Sequence, residues 1–547
     1  MPSIARRLAT ALALVTLAAT SGCGGSDLPA TLDESATPVE GGHLVWGVTT
    51  EPVCFDPHRA TQTNAYFLAR NYVDSLVSKR EDGTFAPWLA TRWTISPDGR
   101  TYTFWLRDDV RFTDGVPFDA AAVKANLDDI ADPKKAQNSL AYLQSYERST
   151  VLDPHRIQIR LSQPDSTLLE SLSSVQLGML SPRSLARGDA LCGGGKALAG
   201  TGPFAFETYR RGQSVTLARN DAYAWPPAWA DHSGPAYLDR VTFKFLPENV
   251  VRTGALSSGQ VDVIEAVQPT DVSAFDGEPG FQYLTGPSSN TAFTLNLNYT
   301  RGLLRDVRIR RAIRDGFDLD EVVKSLYLGT MPRAWSNIGP DDADSATELE
   351  GTWGNDVDAA NAALDAAGWT GRDDEGFRTK DGHRLTIEVG FPDVYIRDYR
   401  DVLIQGIQSE LKRTTGIDLS LRILTLGEFT AQENNGTWTI YPNTMNPGDT
   451  AMMLTQLTGQ HGFLYDATTG GDQRLFADLE RALRETDPAK RHEQLVSIQK
   501  YLIDQAYVVP LYAPKGQLAA TTLVHGLGFD PNLDTPASAY DLWKERS

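Results

Sequence analysis

The chain has 547 residues, 41% of them hydrophobic and 22% charged, a composition that fits soluble globular protein and, at ~100–200 residues per domain, two to four domains or lobes. With 70 acidic against 51 basic residues the net charge is −19, which disfavours nucleic acid as a partner because phosphate binding needs a basic face. The same excess favours solubility and repels anionic lipid surfaces.

The N-terminus has the layout of an export signal. Arg6 and Arg7 form a basic start, Leu8 to Ala19 is an apolar run, and Thr20-Ser21-Gly22-Cys23 closes it with small residues. The run is shorter than the ~20 apolar residues a membrane span needs, and no later segment is long and apolar enough. The Cys after Ser-Gly resembles a bacterial lipobox, with Thr20 where an aliphatic residue is usual. On that resemblance residues 1–23 are the signal and Cys23 carries the lipid. A plain cleaved signal and twin-arginine export are the alternatives. Residues 24–41, rich in Gly, Ser, Thr and Asp, read as a flexible tether. With Cys23 lipidated, Cys54 and Cys192 remain. Export places them in an oxidising compartment, so a disulfide is expected, two separate buried thiols being the other reading.

Strand and helix patterns then alternate along the chain. Leu44 to Val48, Tyr102 to Leu106, Ile157 to Leu161, Thr291 to Leu297, Leu385 to Phe391 and Ile417 to Ile423 read as strands, most by alternation of apolar and polar residues. Ala359 to Gly368 is Ala-rich and stops at Gly. Tyr399, Val402, Leu403, Ile407 and Leu411 recur at helical spacing, and so do Leu495, Ile498, Leu502 and Ile503 behind Pro488. These stripes are core faces. The mixture predicts an α/β or α+β protein with more than one sheet.

Enzyme signatures fail one by one. Gly193-Gly194-Gly195-Lys196 lacks both the leading Gly of a phosphate loop (Ala190 stands there) and the Ser or Thr after Lys (Ala197). Gly200-Thr201-Gly202-Pro203-Phe204-Ala205 has dinucleotide-like spacing, but Pro203 sits in the turn and a strand pattern follows. No G-x-S-x-G elbow occurs, and the eight histidines show no metal-ligand spacing. The expectation is a protein that is not an enzyme and carries no metal or cofactor.

From Pro87 to Asn126 the sequence becomes specific. It runs through Pro87-Trp88-Leu89-Ala90, Trp93, Ser96-Pro97-Asp98-Gly99-Arg100-Thr101-Tyr102-Thr103-Phe104, Val110, Phe112, Asp114-Gly115 and Pro117-Phe118. Asp98-Gly99 is a tight-turn dipeptide between two strand-like runs. This stretch resembles the signature of extracellular solute-binding family 5, the oligopeptide, dipeptide and nickel-complex binding proteins of ABC importers. Gly200 to Phe204 with Arg219-Asn220-Asp221, Asp306 to Ile313, and Ala360 to Trp369 resemble further blocks of that family, in the same order.

The resemblance implies a two-lobed periplasmic-binding-protein-like α/β fold of type II, in the large cluster with an extra subdomain, that encloses ligand between its lobes by hinge closure. On that pattern residues 42–58, 198–286 and 510–547 form the first lobe, 59–197 its inserted subdomain and 287–509 the second lobe. One crossover is placed near Gly286–Asn290 and the return near Val508–Ala513. The implied role is that of the substrate-binding subunit of an ABC importer. It is a monomer anchored by lipid at the outer face of the cytoplasmic membrane or in the periplasm, delivering solute to a permease and its ATPase. Sugar, siderophore or metal-chelate binding on the same fold, and an exported hydrolase, are the alternatives.

Peptide-binding members carry an acidic residue in a W…D-Y-x-D-P-like stretch, where it pairs with the peptide α-ammonium. The corresponding stretch is Trp438 to Asp449, with Asn443 or Asn446 where Asp is expected and Asp449 shifted. The resemblance points to a peptide or peptide-like solute held near Trp438, Tyr441, Asn443, Asn446 and Asp449, with Phe55 and Asp56 from the opposite lobe. For each of these, a core or turn role is the other reading.

Overall fold

The computed structural model describes residues 31–80, 82–135, 138–445, 448–458, 471–531 and 535–546, so Cys23, the signal segment, the start of the tether and Asn446 lie outside the described residues. Three main sheets carry the architecture. The first has seven strands in the order Phe281–Thr285, Gln517–Thr521, Val263–Glu265, His43–Val48, Arg240–Phe245, Ser214–Arg219 and Phe204–Arg210. The second has five, in the order Asp418–Leu424, Thr386–Pro392, Ile440–Asn443, Phe293–Leu297 and Val508–Tyr512. The third is antiparallel and lies in the long excursion between the first two strands of the seven-stranded sheet. Its order is Ala90–Ile95, Thr101–Leu106, Arg156–Leu161 and Tyr146–Asp153.

Local chemistry explains why these elements form where they do. Asp98-Gly99 makes the expected turn between Ala90–Ile95 and Thr101–Leu106. Gly99 takes a φ of +65°, and the Asp98 carboxylate accepts from Ser96 and from the Arg100 amide. Asp119 caps the helix Ala120–Ala131 through the Ala122 amide at 2.8 Å. Asp487 caps Pro488–Asp504, with Pro488 in the first turn and Leu495, Ile498, Leu502 and Ile503 buried. The Gly200–Gly202 segment owes its glycines to packing, since a Cβ on Gly200 would lie 1.9 Å from the Tyr72 carbonyl oxygen.

One expectation shifts for a physical reason. Thr291 to Leu297 alternates apolar and polar residues like a half-solvated strand, but all of Phe293–Leu297 is buried. The strand has neighbours on both sides, and its polar member Asn296 points into the fold, its amide nitrogen donating to the Tyr441 carbonyl at 2.9 Å.

The packing divides in two. One continuous core joins the seven-stranded and four-stranded sheets, including Leu44, Trp46, Phe104, Ile157 and Phe243. A separate core fills the five-stranded sheet and its helices, including Phe293, Leu295, Val389, Ile404 and Leu502. The chain passes between them after Thr285 and returns between Tyr512 and Gln517. The return therefore falls later than residue 510. Pro510 is not a boundary but part of Val508–Tyr512, paired with Thr294. Ser288 ties the two crossings together by donating to the Pro514 carbonyl at 2.7 Å.

Cys54 and Cys192 form a disulfide with Cα atoms 4.0 Å apart, closing a separation of 138 residues. Replacing both by Ser should lower unfolding free energy by ~3–5 kcal/mol in the chain-entropy picture, read from urea denaturation. A loss below ~1 kcal/mol would show that the bond adds no useful constraint.

Asp74 gives a second check. It is fully buried, accepts from Trp225 Nε1 at 3.0 Å and from the Tyr223 hydroxyl at 3.3 Å, and burial pushes its pKa up to about 7. The folded chain therefore holds this proton where the unfolded chain releases it, so stability falls as pH rises from about 4 to 7. Between pH 5 and pH 8 the wild type should lose up to ~3 kcal/mol more than Asp74→Asn, compared by denaturation at the two pH values. Equal pH slopes for the two proteins would refute the assignment.

Candidate functional site

In open α/β sheets, ligands gather at the carboxyl ends of parallel strands. Thr386–Pro392 runs parallel to Asp418–Leu424 and to Ile440–Asn443, so their carboxyl ends share one edge of the second lobe. The loop leaving Thr386–Pro392 carries Arg397, Asp398, Tyr399 and Arg400, and the one leaving Ile440–Asn443 begins with Thr444.

Arg400 is 2% exposed, lies 4.4 Å above the Phe293 ring and donates to the Tyr512 hydroxyl at 2.9 Å. Its second amino group and that of Arg397 each reach Thr444 Oγ1 at 3.4 Å. Among the described residues, Asp398 is the carboxylate within ion-pair reach of either guanidinium, at 3.7 Å from Arg397 and 4.0 Å from Arg400. Two cations thus share one distant anion. Repulsion from Arg400 holds the half-exposed Arg397 guanidinium below its ordinary pKa. Burial would also depress Arg400, but the adjoining Tyr512 and Asp398 outweigh it and raise its pKa.

The loop is held in an uncommon shape. Asp398 and Tyr399 take φ values of +52° and +54°, two consecutive non-glycine residues in the left-handed region. The Tyr327 hydroxyl donates to the Asp398 carbonyl at 2.9 Å and pins the turn. Helix Arg400–Thr414 starts one residue after the sequence pattern suggests, because Tyr399 is left-handed. Strain of this kind persists where surrounding contacts over-determine it, and it concentrates at ligand sites. The pair also looks across to the first lobe, because the charge of Glu265, on Val263–Glu265, bears on Arg397, and that of Asp398 bears on Arg252.

Most residues singled out from sequence are engaged elsewhere. Phe55 is buried edge-on against Phe206 and Tyr209, at centroid distances of 5.5 and 4.9 Å. Asp56 is fully buried and spends its carboxylate on Arg59 Nε at 3.0 Å and on the His58 amide at 3.0 Å. Trp438 and Tyr441 belong to the second-lobe core, Tyr441 stacked on Phe429 at 4.2 Å. The Asp449 carboxylate is taken by Arg491, with both oxygens 2.7 Å from one nitrogen. An ammonium anchor at Asp449 would have to displace that arginine. Asn446 lies outside the described residues.

Asn443 ends the strand Ile440–Asn443, at the carboxyl edge of the second-lobe sheet. Its Oδ1 accepts from Asn296 at 2.7 Å, and it lines a narrow crevice with Thr291, Thr294, Asn337, Met445 and Leu457. Asn337 is fully buried there with neither amide atom hydrogen-bonded. Sequence reasoning missed Arg397 and Arg400. The available signal was a charged and aromatic run, Tyr395-Ile396-Arg397-Asp398-Tyr399-Arg400, between a strand and a helix.

Residues 84–462 match the profile of bacterial extracellular solute-binding proteins, family 5 Middle. The chain belongs to that family. It is the solute-binding component of an ABC importer, built on the family's two-lobed fold, and it works outside the cytoplasm. It is 28% identical over 382 residues to the nickel-binding periplasmic protein of Escherichia coli K12, covering 69% of this chain and 70% of that one. It is 24% identical over 482 residues to the glutathione-binding protein GsiB of Salmonella paratyphi A, covering 86% and 89%. Among solved structures, NikA of Brucella suis in complex with Fe(III)-EDTA superposes with a TM-score of 0.81 at 25% identity, covering 92% of this chain and all of that one. The ABC transporter-associated periplasmic binding protein DppA of Helicobacter pylori, in complex with a peptide, gives a TM-score of 0.76 at 21% identity, covering 93% and 99%.

Proposed function

We propose that the solute is a peptide or peptide-like acid whose carboxylate docks against Arg397 and Arg400 and is enclosed as the lobes close. The carrying observation is the arginine pair itself: two guanidinium groups on one turn, one of them buried, with a single shared carboxylate 3.7–4.0 Å away. An anionic group arriving there gains charge-assisted hydrogen bonds and relieves the mutual repulsion of the pair. Asn443, one residue before the Thr444 that both arginines reach, adds a neutral amide beside the pair.

The membrane context extends the same reading. Residues 1–23 act as a signal ending in a lipidated Cys23, residues 24–41 tether the lobes to the membrane surface, and the captured solute passes to a permease with its ATPase. The monomer suffices, because the cleft is built from one chain. No chemistry on the solute is assigned.

A second solute class has a specific point in its favour. The nickel-binding relative and the Fe(III)-EDTA complex of the similar structure direct attention to metal chelates, and a polycarboxylate chelate would suit the same arginines.

The experiment is calorimetric titration of the ligand-free protein with short peptides, their C-terminally amidated forms and a metal–EDTA chelate. Free-acid peptides should bind and amidated forms bind at least tenfold more weakly. Arg397→Gln should weaken free-acid binding by ~1.5–3 kcal/mol, a loss of roughly ten- to more than a hundredfold, while leaving thermal stability near that of the wild type. Chelate binding without peptide binding would select the second class. Peptide affinity indifferent to both amidation and Arg397 would remove the arginines from the site.

A further inference from the structure

Away from the arginine pair, the lobes meet along a second seam. On one side are the short strand Val77–Lys79 and the helix Leu168–Ser173, packed into the first-lobe core. On the other are the start of helix Thr450–Thr458 and the end of helix Gln473–Arg484. Lys79 Nζ reaches Gly448 O across the seam at 2.9 Å, Ser171 approaches Met452 Sδ at 3.9 Å, and the Ser166 hydroxyl donates to Leu483 O at 2.9 Å. Met452 packs with the first-lobe core although its neighbours in sequence belong to the second.

The charges along this seam do not balance. Lys79 forms an ion pair with Glu170 at 3.0 Å, both of them largely buried. From the second lobe, Asp342 and Asp449 add like charge to Glu170. Asp342 accepts from Thr450 at 2.7 Å, Asp449 is held by Arg491, and Arg491 and His492 both contact Asp344, each at 3.1 Å. Fully ionised, four carboxylates face Lys79 and Arg491, with His492 half-exposed at the margin. The acidic turn also borders the crossing between lobes, since the Asp341 carboxylate accepts from the Ser288 amide at 2.8 Å.

We propose that closure of the two lobes is coupled to proton uptake at this seam, Glu170 and Asp342 being the proton acceptors and Lys79 the donor whose hydrogen bond to the Gly448 carbonyl joins the seam to the second lobe. Burial pushes Glu170 up to about 7 and Asp342 up to about 6, and repulsion between acids of opposite lobes adds to the rise at Glu170. Burial alone would depress Lys79, but the surrounding acids, Glu170 first and then Asp342 and Asp449, outweigh it and raise its pKa, and Asp449 of the second lobe still faces the ammonium when Glu170 holds a proton. Separating the lobes removes the cross-lobe repulsion and admits water, returning the carboxyl groups toward their ordinary values. The closed form then binds more protons than the open one, so closure is favoured as pH falls through the range from about 7 to 5.

The test is X-ray scattering of the purified, ligand-free protein at pH 8 and pH 5, which reports lobe separation as a radius of gyration and needs no solute. The wild type should be more compact at pH 5, its closed-to-open ratio raised roughly tenfold or more. Glu170→Gln and Asp342→Asn should each retain only part of the response, and each should be more compact than the wild type at pH 8. The two variants fail or fold independently, so either suffices if the other is not native by circular dichroism. A wild type with the same radius at both pH values, a wild type more open at pH 5, or variants with the full wild-type response would each overturn the coupling. Because no solute enters the measurement, its outcome is separate from that of the carboxylate-docking experiment.

Discussion

Two hydrophobic cores that do not merge, joined by two short crossings, govern the molecule. Each core can hold its own sheet rigid, so relative motion concentrates in residues 286–292 and 513–516, where Ser288 ties one crossing to the other. Everything polar that faces the gap between cores is then positioned by a rigid wall yet free to change its surroundings when the walls move. This division explains why the perturbed groups at the interface belong to different lobes. Arg397 feels Glu265, and Glu170 feels Asp449. A single-core protein would have to bury or expose such groups once, at folding. Here they can be buried and exposed repeatedly.

Local features of the fold were legible because local chemistry decides them. Asp98-Gly99 makes its turn from its own dihedral preferences, Pro488 marks a helix start, and the apolar stripe of Leu495, Ile498, Leu502 and Ile503 finds the core. Counting cysteines and reading the export signal led to the Cys54–Cys192 pair, and the bond is present. Asn296 misled because alternation reports side-chain polarity, not where polarity is satisfied. Its partners, Tyr441 and Asn443, lie 145 and 147 residues away.

The site was less legible for the same reason, magnified. Asp449 looks like a free anchor until Arg491, 42 residues later, closes on it. Asp56 is an acid beside a strand in sequence, but in space it is the partner of Arg59 in a dry interior. Conversely, Arg397 and Arg400 look like an ordinary charged loop. Only the fold sets Arg400 against Tyr512, 112 residues away, and over the face of Phe293. Which charges are spent and which are left over is a long-range property, and a lone sequence records each charge without its partner.

The leftover charges are where the energetics of capture reside. Binding a small solute between lobes must overcome lost translational freedom and the desolvation of its polar ends, so a site gains most by carrying those burdens before the solute arrives. The arginine pair does this. Arg400 is already desolvated, Arg397 is already held at close quarters with a like charge, and the loop that presents them already sits in left-handed backbone pinned by Tyr327. Folding of the second lobe bears that unfavourable balance, distributed over a core of many apolar side chains. On the proposed docking, an anion entering the cleft would convert a repulsive pair into a shared clamp. The free energy stored in an unfavourable arrangement of the unliganded protein would then become part of the affinity for the proposed solute.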